Sequence, residues 1–170
     1  MKYGLKPIIN GKSLVLILGS FPGEESLQLG QYYAHPRNHF WKILAGMFKE
    51  PAPVEWREKL EFLTSHRIAL WDVIECASHK GSSDAKIDDS RSTPNDLLGL
   101  LERHPGLRAI AFNGHKSKDY FNKFIKQGID AKIAVPQIQL PSSSPALAVL
   151  LEKKIEIWNH ELSVYLRVTP

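Results

Sequence analysis

The sequence predicts an α/β fold, a three-layer sandwich around a central, mostly parallel four-stranded sheet, on three observations. Nearly continuous runs of β-branched and aliphatic residues recur along the chain, and segments with apolar residues at three- and four-residue steps lie between them. Each strand-plus-helix unit takes roughly 30 residues, the span of a crossover that leaves successive strands parallel. Runs without polar alternation suit strands covered on both faces, which places helices on either side of the sheet.

The first strand is Ser13 to Gly19, SLVLILG, ended by its glycine. Helical spacing follows over Asn38 to Phe48 and Val54 to Ser65, and Ile68 to Ile74 is the second strand. Residues 79 to 93, HKGSSDAKIDDSRST, are polar without an apolar period and read as a mobile loop. Pro94 to His104 is a helix, Arg108 to Gly114 the third strand, and His115 to Gln127 a further helix. The fourth strand is Ala134 to Leu140, stopped by Pro141. The last helix spans Pro145 to Leu166, where Leu147, Leu150, Leu151, Ile155, Trp158 and Leu162 make an apolar stripe.

At 170 residues, 43% hydrophobic and 24% charged, the chain suits one domain over residues 1–170. The longest apolar run, Leu14 to Leu18, is far shorter than a membrane span, and Met1 to Lys12 lacks the apolar centre of a secretory signal. A cytoplasmic protein is expected. The single cysteine, Cys76, excludes an internal disulfide and a cysteine-rich zinc site, and no His and carboxylate cluster has ligand spacing, so no metal is expected. Twenty-two Lys and Arg against 18 Asp and Glu give a net charge of +4, which permits a polyanionic partner without requiring one.

Sites on such sheets form beyond the carboxyl ends of the strands. The first end, Gly19-Ser20-Phe21-Pro22-Gly23, lacks the lysine of a P-loop and the third glycine of a dinucleotide fingerprint. It is a tight turn or a pocket wall, and no nucleotide cofactor is expected. Ser142, Ser143 and Ser144, at the expected start of the last helix, make either a phosphate cradle of hydroxyls and N–H groups or an N-cap with spare serines. Lys116, with Lys80, Lys118 and Arg37, can extend a phosphate-binding rim or be simply solvated. Asn113 and His115 read as caps of the helix that follows them. Residues 32–41, YYAHPRNHFW, gather aromatic faces and amides, as a flat heteroaromatic ligand requires.

Taken in order, Gly19-x-x-Pro22-Gly23, then YAHPRNHFW, then a strand reaching Asp72, then Pro141-Ser142 before the last helix resemble the uracil-DNA glycosylase superfamily. The nearest branches are the hypoxanthine-DNA (deoxyinosine) glycosylases and the mismatch-specific uracil-DNA glycosylases, and the match runs from about residue 13 to 166. The resemblance implies that superfamily's fold and a monofunctional DNA glycosylase of base excision repair. Such an enzyme flips out a deaminated base and hydrolyses its glycosidic bond, acting as a cytoplasmic, nucleoid-associated monomer without cofactor. Hypoxanthine is the favoured base, with uracil and xanthine as alternatives.

Two departures bear on mechanism. Phe21 stands where relatives carry the Asn or Asp that positions or activates the attacking water, and Leu140 where they carry His or Asn. Either catalysis has been lost, leaving a DNA- or nucleotide-binding module, or another polar residue does the work. The resemblance implies Asn38 as that residue. An amide cannot take a proton at neutral pH, but its carbonyl can aim a water, and capping a helix is the competing role. By resemblance Tyr33 stacks on the extruded base, and Asp72 matches the residue that reads the base edge. A carboxylate there accepts from the N1–H of hypoxanthine or the N3–H of uracil, unless Asp72 is a turn cap. His35 donates to a base carbonyl or supports the loop. These residues, with Gly19, Ser20 and Phe21, make the expected base site, and Ser142, Ser143, Ser144 and Lys116 the expected contacts to the DNA backbone. The superfamily's usual leucine wedge has no counterpart from Ser143 to Ala146.

Overall fold

The computed structural model of the chain describes residues 1–79, 87–125 and 135–167. Four parallel strands form the central sheet: β2 (Val15–Gly19), β3 (Ile68–Asp72), β6 (Ala109–Asn113) and β7 (Gln137–Leu140), in the order β3-β2-β6-β7. All five residues of β2 and all five of β3 are buried, as runs without polar alternation demand of strands covered on both faces. The helices are α1 (Glu24–Leu29), α2 (Phe40–Phe48), α3 (Trp56–Ser65), α4 (Leu97–Arg103), α5 (His115–Phe124) and α6 (Leu151–Leu166). From β2 the chain steps to β3 on one side, then crosses to β6 and β7 on the other. Right-handed crossovers therefore put α2 and α3 on one face of the sheet and α4 and α5 on the opposite face. The last helix, α6, packs on α2, which completes the three layers.

A second, antiparallel sheet joins β1 (Lys2–Tyr3), β4 (Ile74–His79) and β5 (Ile87–Pro94) in the order β1-β4-β5. The sequence predicts a mobile loop over residues 79 to 93. The part from Ile87 onward is instead a strand paired to β4, with Ser78 opposite Asp88 and Cys76 opposite Thr93. Backbone pairing holds a polar strand that offers no apolar period to read. Lys80 lies outside the described residues. So do Ala134, the expected start of the fourth strand, and Gln127, the expected end of the fourth helix.

The last helix also departs from expectation, starting at Leu151 rather than Pro145. The hydroxyl of Ser142 accepts from the Ser144 N–H and that of Ser144 from the Ala146 N–H. These local bonds offer the backbone an alternative to the helix ladder. The serines therefore do not stand at a helix N-terminus. Leu147 and Leu150, read as part of the apolar stripe, are exposed.

Candidate functional site

The strand carboxyl ends are aligned by register. Gly19 pairs with Asp72 and Asn113 with Leu140, so the four ends open on one side of the sheet. The chain reverses direction across the sheet between β2 and β6, the topological switch point at which such sheets bind ligands. A cleft of about 940 Å³ lies there. Gly19, Ser20, Phe21, Tyr33, His35, Asn38 and Asp72 line it together with Ser142, Ser143 and Ser144. A smaller groove of about 550 Å³ is lined by Glu50, Glu58, Glu61 and His66. Its carboxylates oppose a polyanion.

Asp72 is 3% exposed at the end of β3. Its main-chain carbonyl accepts from Asn95 Nδ2 at 2.8 Å, and the next residue, Val73, donates its N–H to the Gly19 carbonyl at 2.9 Å. A side chain at position 19 would collide with Asp72 Oδ1 and crowd the Tyr33 hydroxyl. Only glycine lets the carboxylate reach across the end of β2. Burial, then the charge of Asp72, then Tyr33 push the Tyr32 hydroxyl well above the ordinary phenol range, so it stays protonated. Tyr32 donates that proton to the Lys6 carbonyl at 3.0 Å.

Tyr33 has a left-handed backbone, φ 52°, an uncommon conformation for a residue with a side chain. Three contacts hold this loop: the Tyr33 ring stacks on Phe40 at 3.8 Å, Ala34 N–H donates to Ser26 Oγ, and Trp41 Nε1 donates to the Tyr32 carbonyl. Strain of this kind persists where the surroundings over-determine it. His35 is half-exposed, with Nε2 at 4.0 Å from Glu25 Oε1, and its Nδ1 accepts from the Arg37 N–H. The acceptor role of Nδ1 places the proton of the neutral ring on Nε2.

Asn38 stands both at a helix entry and on the cleft wall. Its Oδ1 accepts from the Phe40 N–H at 3.0 Å, a cap at the entry of α2, while the side chain lines the cleft. The cap fixes which way the amide points and leaves the carbonyl a second lone pair. Phe21 is 6% exposed and belongs to the core as well as the cleft wall. Leu140 is buried in the core and does not line the cleft.

Ser143 is 1% exposed. Its N–H donates to Asn113 Oδ1 and its hydroxyl accepts from Asn113 Nδ2, both at 2.8 Å. Asn113 thus clamps the serine loop instead of capping α5, whose N-cap is Gly114. Ser142 and Ser144 remain half-exposed at the cleft rim. Lys116 is exposed on the first turn of α5, its ammonium 4.9 Å from the centre of the Tyr120 ring, and it does not line the cleft.

Sequence reading missed His39 and Lys154. His39 donates its N–H to the Ser143 carbonyl at 3.0 Å, and its Nδ1 is buried with no hydrogen-bond partner among the described residues. Desolvation, then the charges of Lys154 and Lys42, hold the imidazole below its ordinary pKa and hence neutral at pH 7. Lys154 is wholly buried on α6. The signal for it was present: a lysine four residues before Trp158 and three after Leu151, on the apolar stripe itself. Among the described residues there is no cluster of His, Cys, Asp or Glu able to hold a metal, and no helix long and apolar enough to cross a membrane.

Fold and cleft together define an α/β protein with an open cleft at the switch point of a parallel sheet. A family model described as the uracil DNA glycosylase superfamily matches residues 7–162, and the chain belongs to that superfamily. Among its relatives is a protein named hypoxanthine DNA glycosylase from Methanosarcina acetivorans, 38% identical over 147 residues, which cover 86% of this chain and 88% of the relative. A second of the same name, from Methanosarcina barkeri, is 36% identical over 78% of this chain and 83% of its own length. A solution structure from Methanosarcina acetivorans, described as a candidate uracil DNA glycosylase, is similar with a TM-score of 0.74 and 34% identity, covering 94% of this chain and 97% of that one.

Proposed function

We propose that this protein excises hypoxanthine from DNA as a monofunctional glycosylase. Family membership supplies the reaction class, hydrolysis of the N-glycosidic bond in DNA. The names of the two relatives support the choice of base. The observation that carries the reading is the convergence of Tyr33 and Asn38, from the loop before α2, and Asp72, from the end of β3, on one cleft. An aromatic face, a buried acceptor and an oriented amide are what an extruded purine and a water require.

In this reading the flipped base stacks on the Tyr33 ring, itself backed by Phe40. Asp72 accepts the N1–H. His35, with its proton on Nε2, is placed to donate to a base carbonyl, while Gly19, Ser20 and Phe21 wall the base. The C1′–N9 bond breaks toward an oxocarbenium-like sugar, so the attacking water needs little deprotonation until its oxygen bonds to C1′. Aiming that water is enough, and the second lone pair of Asn38 Oδ1 does so. Ser142, Ser144 and Lys116 take backbone phosphates, and Ser143 supports them from inside. Every named group comes from one chain, so a monomer suffices.

The test uses duplexes bearing a single hypoxanthine, uracil or xanthine and scores alkali-labile abasic sites. Excision of hypoxanthine ahead of the other two is expected, with Asn38→Ala slower on the order of 100-fold. Binding without cleavage of any of the three leaves only a DNA-binding module. Full activity of Asn38→Ala removes that residue from its role.

A further inference from the structure

Lys154 is an anomaly in α6. It has no exposed surface, its helix-stripe neighbours Trp158 and Leu162 are also fully buried, and no ion pair to it occurs among the described residues. An ammonium so placed is unfavourable unless paired, and an apolar side chain of similar length serves packing better. Its Nζ donates to the Ser144 carbonyl at 3.0 Å. One turn further along α6, Trp158 Nε1 donates to the Pro141 carbonyl at 2.9 Å. Two donors four residues apart on one helix face thus grip both ends of the segment Pro141 to Ser144. Between them Ser143 is held by Asn113 from β6 and, through its carbonyl, by the N–H of His39, next to Asn38 in the chain.

We propose that Lys154 is a positioning residue of the glycosylase site: from beneath, it sets the serine loop against β6 and the Asn38 segment. This fixes at once the two rim hydroxyls and, through Ser143 and His39, the placement of the water-aiming amide. The Ser144 carbonyl also accepts from the Leu147 N–H, at the longer distance of 3.3 Å, and it precedes Pro145, whose nitrogen carries no hydrogen to tie the loop. The lysine acts through that carbonyl and touches neither base nor sugar. The inference rests on the roles given above to Asn38 and the serine rim, and extends them to a residue with no surface on the cleft.

The experiment compares wild type, Lys154→Met and Lys154→Arg as full chains. It measures thermal unfolding, single-turnover excision from a hypoxanthine duplex, and amide exchange. In Lys154→Met we expect an unfolding midpoint equal to or above wild type, because apolar volume replaces a buried charge. Its excision rate constant should fall on the order of 10- to 100-fold, the loss that slight misplacement of a reacting group produces. Exchange at the amides of His39, Ser143 and Ser144 should quicken, while β2 and β6 stay protected. Lys154→Arg, which keeps a charged donor, should recover part of the rate. A purely structural lysine gives a lowered midpoint in Lys154→Met with wild-type rate per folded molecule, and that result overturns the proposal. Unchanged exchange at the three amides also overturns it. If Lys154→Met does not fold, a Lys154→Arg that folds with the wild-type midpoint decides: slowed excision with quickened loop exchange supports the proposal, and wild-type values of both overturn it. Inactivity of the wild type on hypoxanthine defeats the reading of the function itself, whereas an active wild type matched by Lys154→Met defeats only the inference.

Discussion

At the scale of single residues, Asp72 carries the sharpest consequence. Hypoxanthine presents a hydrogen at N1, whereas adenine presents a lone pair at the same atom. A buried carboxylate accepts from the first and repels the second, so in the proposed site the side chain that accepts from the damaged base also rejects its undamaged parent. Asp72→Asn replaces a pure acceptor with a group that also donates. We expect that substitution to slow hypoxanthine excision about tenfold, as loss of a charge-assisted hydrogen bond does, and to narrow the hypoxanthine-to-adenine ratio, both read by competition between labelled duplexes. That Tyr33 and Asn38 line a cleft was legible in the sequence, because a dense polar and aromatic motif sits beside a strand end. Asn113 was legible only as a helix cap, since nothing local tells that Ser143 lies thirty residues on and within reach of both ends of its amide.

At the scale of elements, the continuous strands and the amphipathic helices α2 to α5 were readable, because burial on one or both faces imposes its period on the sequence. Local polar chemistry hid the rest. The serine hydroxyls that close their own turns delay α6 to Leu151, and β5 owes its strand to backbone pairing rather than to side chains. The short helix α1 carries its signals at its two ends, two glutamates in its first turn and Gly30 in left-handed conformation after its last residue. The seat of α6 on α2 depends on Gly46, where a Cβ would meet three atoms of Ile155. Gly46→Ala should therefore destabilise the fold by roughly 1–3 kcal/mol through overpacking, despite alanine's better helix propensity. Urea unfolding at matched m-value measures it. Because α6 also carries Lys154, the shift should reach excision as well.

For the whole molecule, fold class was the most legible property, since four largely apolar strands separated by helices admit few topologies. The second sheet was not, because β1 contributes only Lys2 and Tyr3 and β5 has no apolar period. A net charge of +4 and a cleft rim built of hydroxyls imply a modest electrostatic share in DNA binding. With Lys116 and Arg37 as the rim cations, the slope of log affinity against log salt should be about −2. Fluorescence anisotropy from 50 to 200 mM salt tests this, and a much steeper slope points to cations elsewhere on the surface. The serine loop gives that weakness a use. The Ser144 and Ala146 N–H groups donate to the hydroxyl oxygens of Ser142 and Ser144, so the hydrogens of those two hydroxyls remain to be given to a phosphate without breaking either bond. A grip that is ready in advance and carries little charge is quickly made and quickly released. An enzyme that must inspect long stretches of sound duplex for one altered base can then search by many brief encounters, spending its firm contacts only where a base comes out of the stack.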